Sequence, residues 1–135
     1  MSTIMDAIVL FLVLLPALLL VALIVHSTMP WLSKSWREAE ERAEELVRYL
    51  LTEEDYEKLK RNGYLDVPSP NYPQRVYRIP AGVGTVAVIE GGQCIARLCA
   101  YSTQPIPERE SVLVHKLMIE GNEYDYLRTA NHLPC

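Results

Sequence analysis

One stretch near the start decides what this chain can be. Residues 7–25 read AIVLFLVLLPALLLVALIV, without a charged side chain. As a helix such a run is about 28 Å long, close to the hydrocarbon thickness of a bilayer. Ile4 and Met5 lengthen it, and Asp6 falls near the headgroups. Inside lipid every backbone polar group needs an internal partner, so a lone span is helical. Pro16 removes one of those bonds and predicts a kink. A secretory signal starts with basic residues and ends at a small-x-small cleavage site. Here no Lys or Arg precedes the run, and His26-Ser27-Thr28-Met29-Pro30 offers no such site. The expectation is an uncleaved transmembrane helix over residues 4–26.

Flanking charge sets the expected orientation. Lys34, Arg37 and Arg42 follow the run, and none precedes it. The positive-inside rule then puts the N-terminus outside and the rest of the chain in the cytoplasm. Trp31 and Trp36, with Lys34 and Arg37, stand where an interfacial belt belongs. The two indole rings suit packing in the next helix equally well. Three cysteines imply no disulfide framework, and unpaired thiols suit the cytoplasm.

Pro30 breaks the apolar pattern, and Ser35-x-x-Glu38 reads as a capping box that opens a helix. Trp36, Ala39, Ala43, Leu46, Val47 and Leu50 recur at helical spacing. The stripe is too short for a coiled coil, so it predicts a helix docking on its own domain or on a partner. A second helix starts at Thr52, with Asp55 three residues on, and stops at Gly63. Residues 30–63 thus form a stalk of two short helices.

Residues 64–135 change texture. Pro68, Pro70 and Pro73 predict an extended, non-helical connection. Residues 75–79 and 85–90 are strand-like, and Gly91-Gly92 is a two-residue hairpin signal before a returning strand at 93–101. That register sets Ile89 opposite Cys94 and Val88 opposite Ile95. Residues 112–119 (VLVHKLMI) read as a strand for their β-branched content and the following Gly121, although Pro107 followed by acids would suit a helix start. Asn122-x-x-Asp125 caps a final helix to about Asn131. The fold class is a single-pass transmembrane helix plus a small α+β domain: a helical stalk, then a mostly antiparallel sheet with a C-terminal helix.

Chemical motifs are weak. Gly82-Val83-Gly84-Thr85-Val86-Ala87 has dinucleotide spacing but opens a β-branched run, where the phosphate turn must open a helix. Cys94, Cys99, His115, His132 and Cys135 could ligate a metal in principle. Cys94 and Cys99 point to opposite faces of a regular strand, so small buried hydrophobes are the expected role. A Cys–His nucleophile pair with His115 as base has no family signature around it. A net charge of −4 without a basic stripe argues against nucleic acid. Eight tyrosines stand against one phenylalanine. Tyr72, Tyr77 and Tyr101, with Arg75, Arg78 and Arg97, could form a protein-binding face.

These readings favour a non-catalytic protein without cofactor or metal, an accessory or structural subunit of a membrane complex. Its partners would be the lipid bilayer and other membrane subunits. A tethered sensing or adaptor module for a peptide or small ligand is the alternative. A thiol- or metal-dependent enzyme is the more distant one.

Overall fold

The computed structural model describes residues 2–100 and 102–135, with side chains for 8–27, 34–100 and 102–135. The chain divides into two compact units, Met1–Glu38 and Ala39–Cys135. Helix α1 covers Ser2–Leu50 and is assigned without interruption through Pro16, Pro30 and Ser35. The predicted break at Pro30 and helix start at Ser35 are therefore corrected. An isolated proline removes one backbone bond, and helical turns on both sides can carry the chain past it. The segment Ile8–Ser27 is long and apolar enough to cross a membrane.

The second unit is a sheet with helices on one face. Its strands are β1 (Tyr64–Pro68), β2 (Arg75–Pro80), β3 (Val86–Glu90), β4 (Gln93–Cys99) and β5 (Asn131–Leu133). They lie in the order β1-β2-β3-β4-β5, each pair antiparallel. Helix α2 is Glu53–Asn62, and α3, Glu108–Thr129, lies between β4 and β5 in the chain. Thr52 Oγ1 accepts the Asp55 N–H at 3.2 Å, and Gly63 ends α2 in the left-handed region at φ 76°. Both ends of α2 fall where the sequence predicts them.

Side chains alternate along the strands, so one face collects Leu65, Val67, Tyr77, Ile79, Val86, Val88 and Leu98. Val47 of α1, Leu51, Leu59 of α2, and Val112, Leu113, Ile119 and Tyr126 of α3 complete this core. Of the predicted α1 stripe, Ala43 and Val47 are buried, whereas Trp36, Leu46 and Leu50 stay largely exposed. Arg109 pairs with Glu44 at 3.0 Å, and the Tyr56 hydroxyl donates to the same carboxylate at 2.6 Å, joining α3 and α2 to α1.

The predicted strand at 112–119 is helix. Val112, His115 and Ile119 are buried while Val114, Leu117 and Met118 are not, which is helical rather than alternating spacing. The acids Glu108 and Glu110 lie in the first turn, where the helix dipole favours negative charge. Asn122 is non-helical (φ −159°, ψ 82°), and its Oδ1 accepts the Asp125 N–H at 3.1 Å. The predicted Asn122 cap is therefore present, inside α3. The final helical turn ends at Thr129 and yields to β5.

Strand β1 lies where the sequence suggests only a connection. It sits at the sheet edge, where Pro68 withholds no ladder bond that a neighbour needs. The hairpin of β3 and β4 turns at Gly91 (φ 59°) and Gly92 (φ 82°). Ile89 faces Cys94 as predicted, but Val88 faces Ala96. A bulge at Ile95 shifts the register by one residue.

The expected unpaired thiols are also corrected: Cys94 and Cys135 form a disulfide, and Cys99 is the free cysteine. Strand β5 pairs Arg97 with Leu133 and Leu98 with His132. Continuing that ladder brings Cys135 level with the bulge, beside Cys94, with Cα atoms 6.2 Å apart.

Candidate functional site

The uncovered sheet face holds part of the predicted tyrosine–arginine surface. Arg78 lies over the Tyr64 ring, 4.0 Å from its centroid, and pairs with Asp66 at 2.8 Å. In register, Arg78 stands opposite Ala87 and Ala87 opposite Arg97. These residues, with Ile89 and Cys94, border a depression of about 460 Å³. Arg75, two residues from Tyr77 and so on the helix-covered side of β2, lies over the exposed Tyr72 ring at 4.0 Å and pairs with Glu90 at 2.9 Å. Tyr77 does not join them, because it is fully buried. Tyr101 lies outside the described residues. In the first unit Lys34, Trp36 and Arg37 are exposed, and the Trp31 side chain lies outside the described set.

Behind Tyr77 sits a polar cluster that the sequence does not signal. The Glu123 carboxylate is almost wholly buried, yet every donor around it is aimed inward. Tyr77 donates its hydroxyl to Oε1, and Ser69 Oγ donates to the same oxygen at 2.6 Å. Asn71 supplies Oε2 with its Nδ2 at 2.8 Å and its backbone N–H at 3.2 Å. Burial alone would raise the Glu123 pKa; the hydrogen bonds from Ser69, Tyr77 and Asn71 outweigh it and hold the carboxyl below its ordinary value. Ser69 Oγ also accepts the backbone N–H groups of Asn71 and Tyr72, so the β1–β2 loop is clamped to the kink of α3. The cluster fastens the loop to the helix through the two carboxylate oxygens of Glu123.

A third locus lies between α3 and the segment after β4. Two cavity lobes, of about 210 and 420 Å³, share Ala100, Ser102, Ile106, Ser111 and His115 as walls. The smaller reaches the Gly82-Val83-Gly84 loop and Glu108; the larger reaches Cys99, Val114, Met118 and Asn131. The imidazole of His115 is buried, with Nδ1 2.9 Å from the Tyr126 hydroxyl. Burial lowers its pKa and favours the neutral ring. Burial also raises the Tyr126 pKa, keeping the phenol protonated.

Cys99 and His115 border the same lobe, but no hydrogen bond joins them, and the histidine's Nδ1 is held by Tyr126. The Gly82-x-Gly84 string opens β3 and not a helix, so no helix N-terminus meets it. Among the described residues no group of three or more His, Cys, Asp or Glu side chains could hold a metal ion. Comparison with known proteins gives no match to a family model, a curated protein or a solved structure.

Proposed function

We propose that the protein is a single-pass membrane protein, a non-catalytic accessory subunit whose folded head serves a larger membrane assembly. The observation that carries this reading is the bare rod Ile8–Ser27. Its apolar side chains are exposed along its whole length, and none of the span is buried by the chain itself. An apolar surface of this extent in water would drive aggregation, so lipid and neighbouring spans are its natural environment. The head, by contrast, has a closed core of its own.

Lys34, Arg37 and Arg42 support a cytoplasmic head. The Cys94–Cys135 bond points to the opposite compartment. Both cysteines are exposed and lie outside the core cluster, so the core packing does not include the pair. The flanking charge therefore decides the orientation proposed here.

Two measurements test the reading. Membranes carrying the protein are washed in alkaline carbonate, and the pellet should retain it; release into the wash would refute the anchor. Extraction in mild detergent should then copurify partner chains at fixed stoichiometry. A lone monomer under those conditions would refute the subunit role.

A further inference from the structure

The cavity around His115 has the features of a small-molecule site, and its hydrogen-bonding logic can be read from one residue pair. Tyr126 keeps its proton, and its hydroxyl meets one partner among the described residues, His115 Nδ1. A phenol O–H that faces only a ring nitrogen donates to it. Nδ1 therefore accepts, and the ring proton sits on Nε2. Nε2 has no hydrogen-bond partner among the described residues, and no buried side-chain nitrogen or oxygen is left unsatisfied. It must reach open space, which for this ring, 8% exposed, is the cavity it borders. A buried imidazole fixed in one tautomer thus offers one N–H donor to a partly open cavity.

The walls define what can accept that hydrogen bond. Ser102, Ser111 and Asn131 add neutral polar groups, and Ile106, Val114 and Met118 supply apolar surface. Among the described residues no lysine or arginine borders either lobe, and Glu108 borders the smaller one. A carboxylate or phosphate would lack a countercharge and meet a like charge. The larger lobe is within the volume range of small-ligand pockets. The geometry points to a binding site for a small uncharged molecule that presents a carbonyl oxygen to His115 Nε2–H and an apolar body to Ile106, Val114 and Met118.

The test uses the full chain in detergent micelles with ¹⁵N-labelled histidine. The probes are benzamide, benzoate and benzyl alcohol, which share a ring and differ in the head group. The free protein should show His115 with a protonated Nε2 and a bare Nδ1; the opposite tautomer would overturn the proposal. Benzamide should shift the His115 Nε2–H signal saturably in the millimolar range, with benzoate and benzyl alcohol at least fivefold weaker. Absence of any saturable shift with benzamide would overturn the proposal, as would binding of benzoate at equal or greater strength. Ser111→Val, which removes a polar wall group shared by both lobes and narrows them, should weaken the response at least fivefold while the Tyr126–His115 contact persists. Met118→Trp, at a half-exposed position of the larger lobe, gives the same reading should Ser111→Val fail to fold. A benzamide shift undiminished by narrowing the cavity would place the ligand elsewhere and refute the site.

Discussion

Glu123 is a buried carboxylate whose charge is held by hydrogen bonds from Ser69, Tyr77 and Asn71. Its folded pKa lies below the ordinary 4.5, so the stability linked to it is present above that value. It is lost as pH falls through the lowered folded pKa. His115 acts in a higher window. Its pKa is lowered from 6.5 by burial, so its contribution is complete above that value and declines as pH falls toward the folded pKa. Acid unfolding followed by near-ultraviolet circular dichroism should therefore show one loss beginning below about pH 6.5 and a further one below about pH 4.5. Glu123→Gln should diminish the component below about pH 4.5; a wild-type acid profile in that variant would show that Glu123 carries no such linkage. Tyr77→Phe deletes one donor to a buried carboxylate and should lower stability by about 1.5–3 kcal/mol, read from the urea midpoint. Neither role was legible in the sequence. Tyr77 reads there as a surface tyrosine, because period-two burial assigns a residue to a face without saying which face a helix covers. Glu123 is one acid among seventeen Asp and Glu, and only the fold brings Ser69 and Asn71 to it.

At the scale of elements, local chemistry was legible and partnership was not. The α2 cap at Thr52, its stop at Gly63, the Gly91-Gly92 turn and the Asn122 cap all depend on neighbours within a few residues. The bulge at Ile95 and the path of β5 depend on pairings set by the whole sheet. The same divide explains 112–119: eight largely apolar residues carry no clean period until a sheet face is there to receive one side of them. Two glycines make the local rules measurable. Gly92 has φ +82°, which an L side chain resists, so Gly92→Val should destabilise by about 1–2 kcal/mol. Gly121 has no positive φ and nothing within 4 Å of an added Cβ, and it lies in α3. Gly121→Ala should therefore stabilise by about 0.5–1 kcal/mol. Thermal midpoints of the two variants moving in the same direction would contradict this assignment of backbone conformation.

For the whole molecule, on the proposed reading as a single-pass membrane protein, the sharpest question is which side of the bilayer the head occupies, and the chain carries opposed signals. Three cations after the span favour the cytoplasm, whereas the cysteine pair favours an oxidising space. The crosslink joins residues 41 apart, and closing a loop of that size is worth about 4 kcal/mol in the chain-entropy account. A head that depended on this bond would have to be made where the bond survives. Its core does not: Tyr77, Tyr126, Leu98 and their neighbours pack without either cysteine. Reduction should accordingly lower the melting temperature of the purified protein while leaving a cooperative transition; its complete loss would show that the head requires the bond. The orientation itself is decided in intact cells, treated with a membrane-impermeant phosphine reductant and then an impermeant maleimide. With a cytoplasmic head, Cys94 and Cys135 stay unlabelled until the membrane is opened, and then both react. Labelling of either before that point would put the head outside and make the crosslink, not the flanking charge, the feature that reports where this protein works.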